Sequence, residues 1–234
     1  MINWNKKFEY PKSMRSLIND QRHYDIGQDK LPSVTTILSA TQPEEKRRAL
    51  EEWKQRVGNQ EADKIKNEAA TRGTALHSIV EGYLMNEPHV DLTPTGDTAH
   101  RIAHKLIKEG IDGKLTEVWG TEATMYYPGL YAGATDIVGV YEGIDSICDL
   151  KQSNKPKQAS WITDYYLQLA AYIMSHNYVY KTNIKQGVIL MITPQLIFQQ
   201  FIINEEQLKH YCNEWLKRID QYYKEKKLIE MIDV

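Results

Sequence analysis

Apolar positions recur along this chain with two periods, and the changes between them set out the expected elements. Helices are predicted over 44–57, 61–71 and 74–84, the last with Leu76, Ile79, Val80 and Tyr83 on one stripe. Thr41 is placed to cap the first, and Gly73 to break the chain between the second and third. A Pro-containing loop at 86–96 leads to a further helix over 98–109. The period then shortens to two: 117–127, 131–141 and 146–151 read as strands, the last two joined by a tight turn at Glu142-Gly143. A polar loop at 152–160 precedes an amphipathic helix over 161–177, with Leu167, Ala170, Ala171 and Met174 apolar. Strands follow at 186–192 and 196–203, and Asn204 caps a final helix to about residue 227, whose basic end suits the helix dipole. Residues 1–30 are mixed, with a short strand segment at 22–24, and 31–38 reads as a loop opening a short helical turn. The order implies an α/β domain with a mixed sheet and helices on both faces. It spans 1–234 as one unit: a mostly helical part over 1–110, a sheet core over 115–203 and a C-terminal helix over 204–234.

Two strand positions break the apolar pattern. Asp136 has the parity of Val138 and Val140, and Asp149 that of Ile147, in a strand whose other face, Cys148 and Leu150, is also apolar. A carboxylate there is costly to bury unless something pairs with it. Lys151 leaves the strand on the same face as Asp149. Two acids and a lysine converging on one spot suit a hydrolytic magnesium site, since hard cations take carboxylate oxygens and keep waters. The competing reading is a structural Asp149–Lys151 pair beside an unrelated aspartate.

Composition narrows the partners. The hydrophobic fraction of 41% in 234 residues is enough for a core, and the net charge of −2 provides no global basic field, so nucleic-acid binding must use a local patch. Arg72, Lys155 and Lys157 are candidates for it. Cys148 and Cys212 lack metal-ligand spacing and read as reduced thiols of a cytosolic-type compartment. Met1 to Tyr10 does not read as a signal peptide, and no apolar run approaches the ~20 residues of a membrane span.

Other spacings are ambiguous by themselves. His77 and Glu81 share a helix face, as a surface pair would. His100 and His104 lie among lysines and arginine, as on a solvated face. Glu122 falls mid-strand, and Tyr165, Gln168 and Tyr172 form a helical stripe of the kind that rims a core.

Taken together the motifs resemble the RecB-like branch of the PD-(D/E)XK nucleases, in particular the group around the mitochondrial genome maintenance exonuclease and similar phage-encoded exonucleases. LPSVTTIL at 31–38 is similar to that branch's N-terminal loop, and RGTALHSIVE at 72–81 to the helix bearing its histidine. AGATD at 132–136 supplies the first acid, DLK at 149–151 the acid-x-Lys element, and QLAAY at 168–172 the Q-x₃-Y helix. The matched segments extend from about residue 31 to 172, in the family's order. The acid-x-Lys position carries Asp149 where Glu is commoner.

The resemblance implies a restriction-endonuclease-like fold and a Mg²⁺- or Mn²⁺-dependent deoxyribonuclease, an exonuclease on single strands or DNA ends that leaves 5′ phosphates. The alternatives are a structure-specific endonuclease on the same core, or a DNA-binding module without catalysis. It implies His77, Asp136, Asp149 and the Leu150 carbonyl as metal ligands, Lys151 as the group that positions the attacking water, and Gln168 and Tyr172 as supporting residues. Ser33, Thr35, Thr36 and Arg72 are candidates for DNA contacts, and Glu81 and Glu122 for supporting or second-metal roles. The two cysteines are too few for the iron–sulfur cluster of some relatives. DNA is the implied partner, with recombination or replication proteins alongside it. The implied setting is the cytoplasm of a bacterial or phage-infected cell, with a mitochondrial one left open. Asp136 and Asp149 are expected to repel one another without metal, so that Asp136→Asn raises metal-free stability.

Overall fold

The computed structural model describes residues 2–19, 21–87 and 94–232. Its centre is a six-stranded mixed sheet of β1 (Asn3–Trp4), β5 (Leu115–Tyr127), β6 (Tyr131–Tyr141), β7 (Ile144–Gln152), β8 (Gln186–Ile192) and β9 (Phe198–Ile203), neighbours in that order. A separate three-stranded antiparallel sheet is formed by β2 (Met14–Ile18), β3 (Gln21–Ile26) and β4 (Asp29–Pro32). The helices are α1 (Val34–Ala40), α2 (Glu44–Val57), α3 (Asn59–Met85), α4 (Pro94–Leu106), α5 (Thr163–Tyr180) and α6 (Glu205–Ile232). A π turn follows α4 at Ile107–Ile111.

Alternation determines which residues meet on each face of the large sheet. Val138, Ile147, Ile189 and Met191 pack with residues of α1, α5 and α6 in one core that includes the fully buried Trp215. Ile137, Cys148, Leu150, Val188 and Leu190 pack with residues of α3 and α4 in the other. The β6–β7 hairpin closes with Tyr141 paired to Ile144. Its two loop residues, Glu142 and Gly143, have φ of 49° and 80°, the left-handed pair a tight hairpin turn demands. β7 and β8 are parallel neighbours connected through α5. Cys148 and Cys212 are free thiols. Among the described residues no helix is long and apolar enough to cross a membrane.

Three local readings of the sequence change. Gly73 does not break a helix: α3 runs unbroken through it for 27 residues. An interior glycine costs only ~1 kcal/mol relative to alanine, and burial of Leu76, Ile79, Val80 and Leu84 just beyond it holds the turn. Thr41 caps no helix start. It ends α1, its hydroxyl donating to the Ile37 carbonyl and accepting from Arg218 Nε at 2.5 Å, while α2 begins after Pro43 without a side-chain cap. Residues 3–32, which showed little period, supply β1 and the whole small sheet. The loop expected over 86–96 lies outside the described residues from 88 to 93.

The N-terminal segment is fastened by an aromatic cluster of Phe8, Tyr10, Trp119, His176 and Tyr180. His176 is fully buried there. The Thr182 hydroxyl donates to Asn177 Oδ1 at 2.8 Å and so accepts from His176 Nδ1 at 2.7 Å, leaving Nε2 to accept from Tyr10 at 3.1 Å. Burial, helped by nearby Lys7, lowers the His176 pKa to about 4. The folded pKa lies below the unfolded value of ~6.5, so this contribution to stability is complete above pH ~6.5 and is lost as the pH falls through about 4. Thermal melts across that window are expected to fall more steeply for wild type than for His176→Gln. Parallel curves would show that His176 stays neutral in both states.

Candidate active site

The β6–β7 ladder ends at the pair Ile137–Cys148. Beyond it β6 continues against β5, with one further bridge from Ala132 to Ser33, and β7 continues against β8. The fork between the two strands holds the candidate site. Asp136 occupies it, with Oδ2 accepting from the Leu150 backbone N–H at 2.5 Å. This bond substitutes for the ladder bonds the strands no longer exchange. Its other oxygen lies 2.9 Å from His77 Nδ1, and His77 Nε2 lies 3.1 Å from the Leu150 carbonyl. His77 thus reaches from α3 to both strands of the fork.

Glu122 completes this cluster from β5. The ladder pairs Thr121 with Ile137 and Ala123 with Thr135, skipping Glu122 and Asp136, and Glu122 has a φ of 44°. For a residue other than glycine that conformation costs on the order of 1–3 kcal/mol, and such strain gathers at functional sites. Ligand atoms of His77, Glu122 and Asp136 all lie within 4.8 Å of one another. Two carboxylates and an imidazole, partly open to solvent, are a donor set that suits Mg²⁺ or Mn²⁺.

Asp149 and Lys151 form an ion pair on the same side, both largely buried. Asp149 Oδ2 has this charge opposite it but no properly directed hydrogen bond. Burial pushes the Asp149 carboxyl up, to about 6, against the pull of Lys151. Burial works against the Lys151 charge too, but Asp149 and Asp136 outweigh it and hold the ammonium above the ordinary lysine range. In the same way burial opposes the Asp136 carboxylate, and the facing His77 overcomes it, keeping Asp136 below the usual range. Burial opposes the His77 imidazolium as well, yet Asp136 raises its pKa to about 10. Each acid therefore has its own cation.

Helix α5 forms a further wall. Gln168 Nε2 donates to the Tyr172 hydroxyl at 3.0 Å, which leaves the tyrosine O–H to point elsewhere. A Cβ on Gly133 would come within 2.6 Å of the Tyr172 ring, so the glycine of AGATD is required by the close approach of that ring. The Tyr165 ring centroid lies 5.1 Å from Lys151 Nζ.

His77, Asp136, Asp149, Lys151, Gln168, Tyr172, Ser33, Thr35 and Glu122 all line one cavity of about 190 Å³. Other sequence candidates fall outside it. Arg72 donates to Asn154 Oδ1 at 2.6 Å, and Thr36 is buried with its hydroxyl donating to the Arg22 carbonyl at 2.9 Å. Glu81 accepts from Thr121 at 3.4 Å and lines a small void behind His77 with Glu122 and Asp136. Leu150 contributes through its backbone. Arg15, Arg22 and Tyr24, from the small sheet, also line the cavity and were not singled out from the sequence. The available signal was Asn19, a turn former that tolerates the left-handed region, between the runs that become β2 and β3.

No protein-family model matches the chain. It is 28% identical over 217 residues to mitochondrial genome maintenance exonuclease 1 of Mus musculus, covering 86% of this chain and 62% of that protein. The Xenopus tropicalis protein of the same name is 29% identical over 211 residues, covering 84% of this chain and 58% of that protein. The chain thus spans less than two thirds of the length of these curated relatives. A crystal structure of a Eubacterium rectale protein assigned as an exonuclease superposes with a TM-score of 0.50 at 15% identity, over 71% of this chain and 69% of that one. The chain is related to nuclease-fold proteins, and its central mixed sheet flanked by helices is an architecture it shares with them.

Proposed function

We propose that the chain is a divalent-metal-dependent deoxyribonuclease, an exonuclease that hydrolyses phosphodiester bonds of single strands or DNA ends and leaves 5′ phosphates. The observation that carries this reading is the meeting of the His77–Glu122–Asp136 donor cluster and the Asp149–Lys151 pair in one cavity at the strand fork. The relatives named as exonucleases support it.

His77, Glu122 and Asp136 would hold the ion, His77 giving up the proton it shares with Asp136 on ligation, with Asp149 and the Leu150 carbonyl adjoining. When bound, a divalent cation makes water more acidic and stabilises negative charge on phosphoryl oxygens. Lys151 orients the water that attacks phosphorus in line; the bond to the opposite 3′ oxygen breaks, the water's proton passes to solvent, and the 3′ oxygen takes one up to leave as a hydroxyl. Asp149 and Asp136 hold the ammonium above the ordinary lysine range, which suits a hydrogen-bond donor to that water. Asp149 fixes the ammonium in place, and the Tyr172 O–H, released by Gln168, is available to a phosphate oxygen. Glu81 supports Glu122 from behind through Thr121. DNA is the substrate, and recombination or replication proteins are the expected company.

End-labelled linear DNA and closed circular DNA incubated with Mg²⁺, Mn²⁺ or EDTA test the proposal. Degradation of linear DNA alone, dependent on metal, is the expected result. Cutting of circles would instead indicate an endonuclease on the same core, and binding without cleavage a non-catalytic module.

A further inference from the structure

The cavity does not end at the fork. A second groove, of about 520 Å³, runs between the β2–β3 hairpin and α1, lined by Leu17, Gln21, Arg22, Thr35, Thr36, Ser39 and Ala40. Arg22 and Thr35 line both spaces, so the groove adjoins the candidate active site across these two side chains. Its volume lies within the ~300–1,000 Å³ of small-molecule sites.

The charges along this junction are unequal. Of the cations lining the cavity, Arg15 faces Glu122 at 3.4 Å, His77 faces Asp136, and Lys151 faces Asp149. Arg22 alone faces no acid among the described residues. Its backbone is well fixed, with the carbonyl accepting from the Ser33 N–H at 2.9 Å and from the Thr36 hydroxyl at 2.9 Å. An exposed guanidinium on a fixed backbone, without a counter-ion among the described residues, is poised for an external anion, and its planar fork matches phosphate oxygens. Beside it Thr35 is the exposed member of the hydroxyl cluster, its Oγ1 2.9 Å from that of the buried Ser33. Farther along, Leu17, exposed at 73%, and Ala40 present apolar surface that a base ring could cover.

We propose that this groove is a nucleotide subsite. It takes the next nucleotide along a single strand from those that flank the scissile phosphate, with Arg22 and Thr35 binding the phosphodiester that joins it to the flanking nucleotide. The proposal rests on the nuclease reading and adds to it a substrate requirement: at least one nucleotide beyond the two that flank the bond that is cut. The β2–β3–β4 sheet then serves as the part of the fold that grips the strand.

The test measures cleavage of a single-stranded oligonucleotide by wild type, Arg22→Ala, Arg22→Lys and Ser39→Trp, the last filling the groove from its far side. Arg22→Ala is expected to raise KM by about 10-fold with kcat little changed, and Arg22→Lys to restore part of the loss. Binding of the same strand with Ca²⁺ in place of the catalytic metal is expected to show a salt slope shallower by ~0.7 in Arg22→Ala, the value for one lost phosphate contact on a single strand. Ser39→Trp is expected to raise KM without altering the salt slope. If wild type cleaves DNA and Arg22→Ala matches it in KM and salt slope, the subsite is overturned and the nuclease reading stands. A fall in kcat alone would place Arg22 in the chemistry and overturn the subsite as well. A wild type that degrades no DNA overturns the nuclease reading and the subsite together.

Discussion

Lys151→Ala is expected to lower DNA turnover by about 10²–10³-fold, the usual loss when a donor acting on the reacting centre is removed, while DNA binding in the presence of metal persists. The ammonium sits beside Asp149 within the cavity, its side chain only 18% exposed, with the Tyr165 ring on one side. Its position is therefore set by the fold before any substrate arrives. The substitution also leaves Asp149 buried without its counter-ion, so the variant should melt at a lower temperature. Single-turnover cleavage measured well below that temperature, together with a binding titration, separates the two effects. Cleavage within a few-fold of wild type would remove Lys151 from the chemistry.

Asp136→Asn is expected to lower the melting temperature of the metal-free protein and to abolish cleavage. The sequence alone implies the opposite sign for stability, because two buried acids near one lysine should repel. The structure reverses it by giving Asp136 its own imidazolium at 2.9 Å and a backbone N–H at 2.5 Å. Removing one partner of a buried ion pair costs ~3–5 kcal/mol, and the cost here should be smaller because the His77 side chain is 32% exposed and water screens it. Millimolar Mg²⁺ or Mn²⁺ is expected to raise the wild-type melting temperature relative to EDTA, since the ion binds the folded site preferentially. That gain should shrink in Asp136→Asn. Melts of both proteins in metal and in EDTA decide the matter. A variant that is more stable without metal would restore the picture of a repulsive acidic cluster.

The residues of the cavity differ in how readily the sequence disclosed them. Asp136, Asp149 and Lys151 stood out because a charge in an apolar strand breaks an alternation that spans only a few residues. His77, Gln168 and Tyr172 were ambiguous by spacing and gained weight only from the order of motifs they belong to. Glu122 was visible merely as an acid in a strand, and its left-handed φ and its approach to His77 depend on the skipped pair between β5 and β6. Arg15 and Arg22 were not disclosed because β2 and β3 are mostly exposed or half-buried, so they carry no apolar alternation for a charge to break.

The strands from β5 to β9, the helices between and beside them, and the charges of Asp136, Asp149 and Lys151 on β6 and β7 were all legible in the sequence. These follow from local alternation, since successive side chains of a strand face opposite sides whatever the rest of the chain does. Which acid pairs with which cation, the meeting of Glu122 with His77 and Asp136, and the place of the small sheet as a wall of the cavity came from the folded arrangement alone. Those relations join residues far apart in sequence, such as His77 with Asp136 and Arg15 with Glu122. They exist because α3 packs across the fork and the small sheet comes to rest beside it, and a periodicity read over a few residues carries no information about where distant elements will meet.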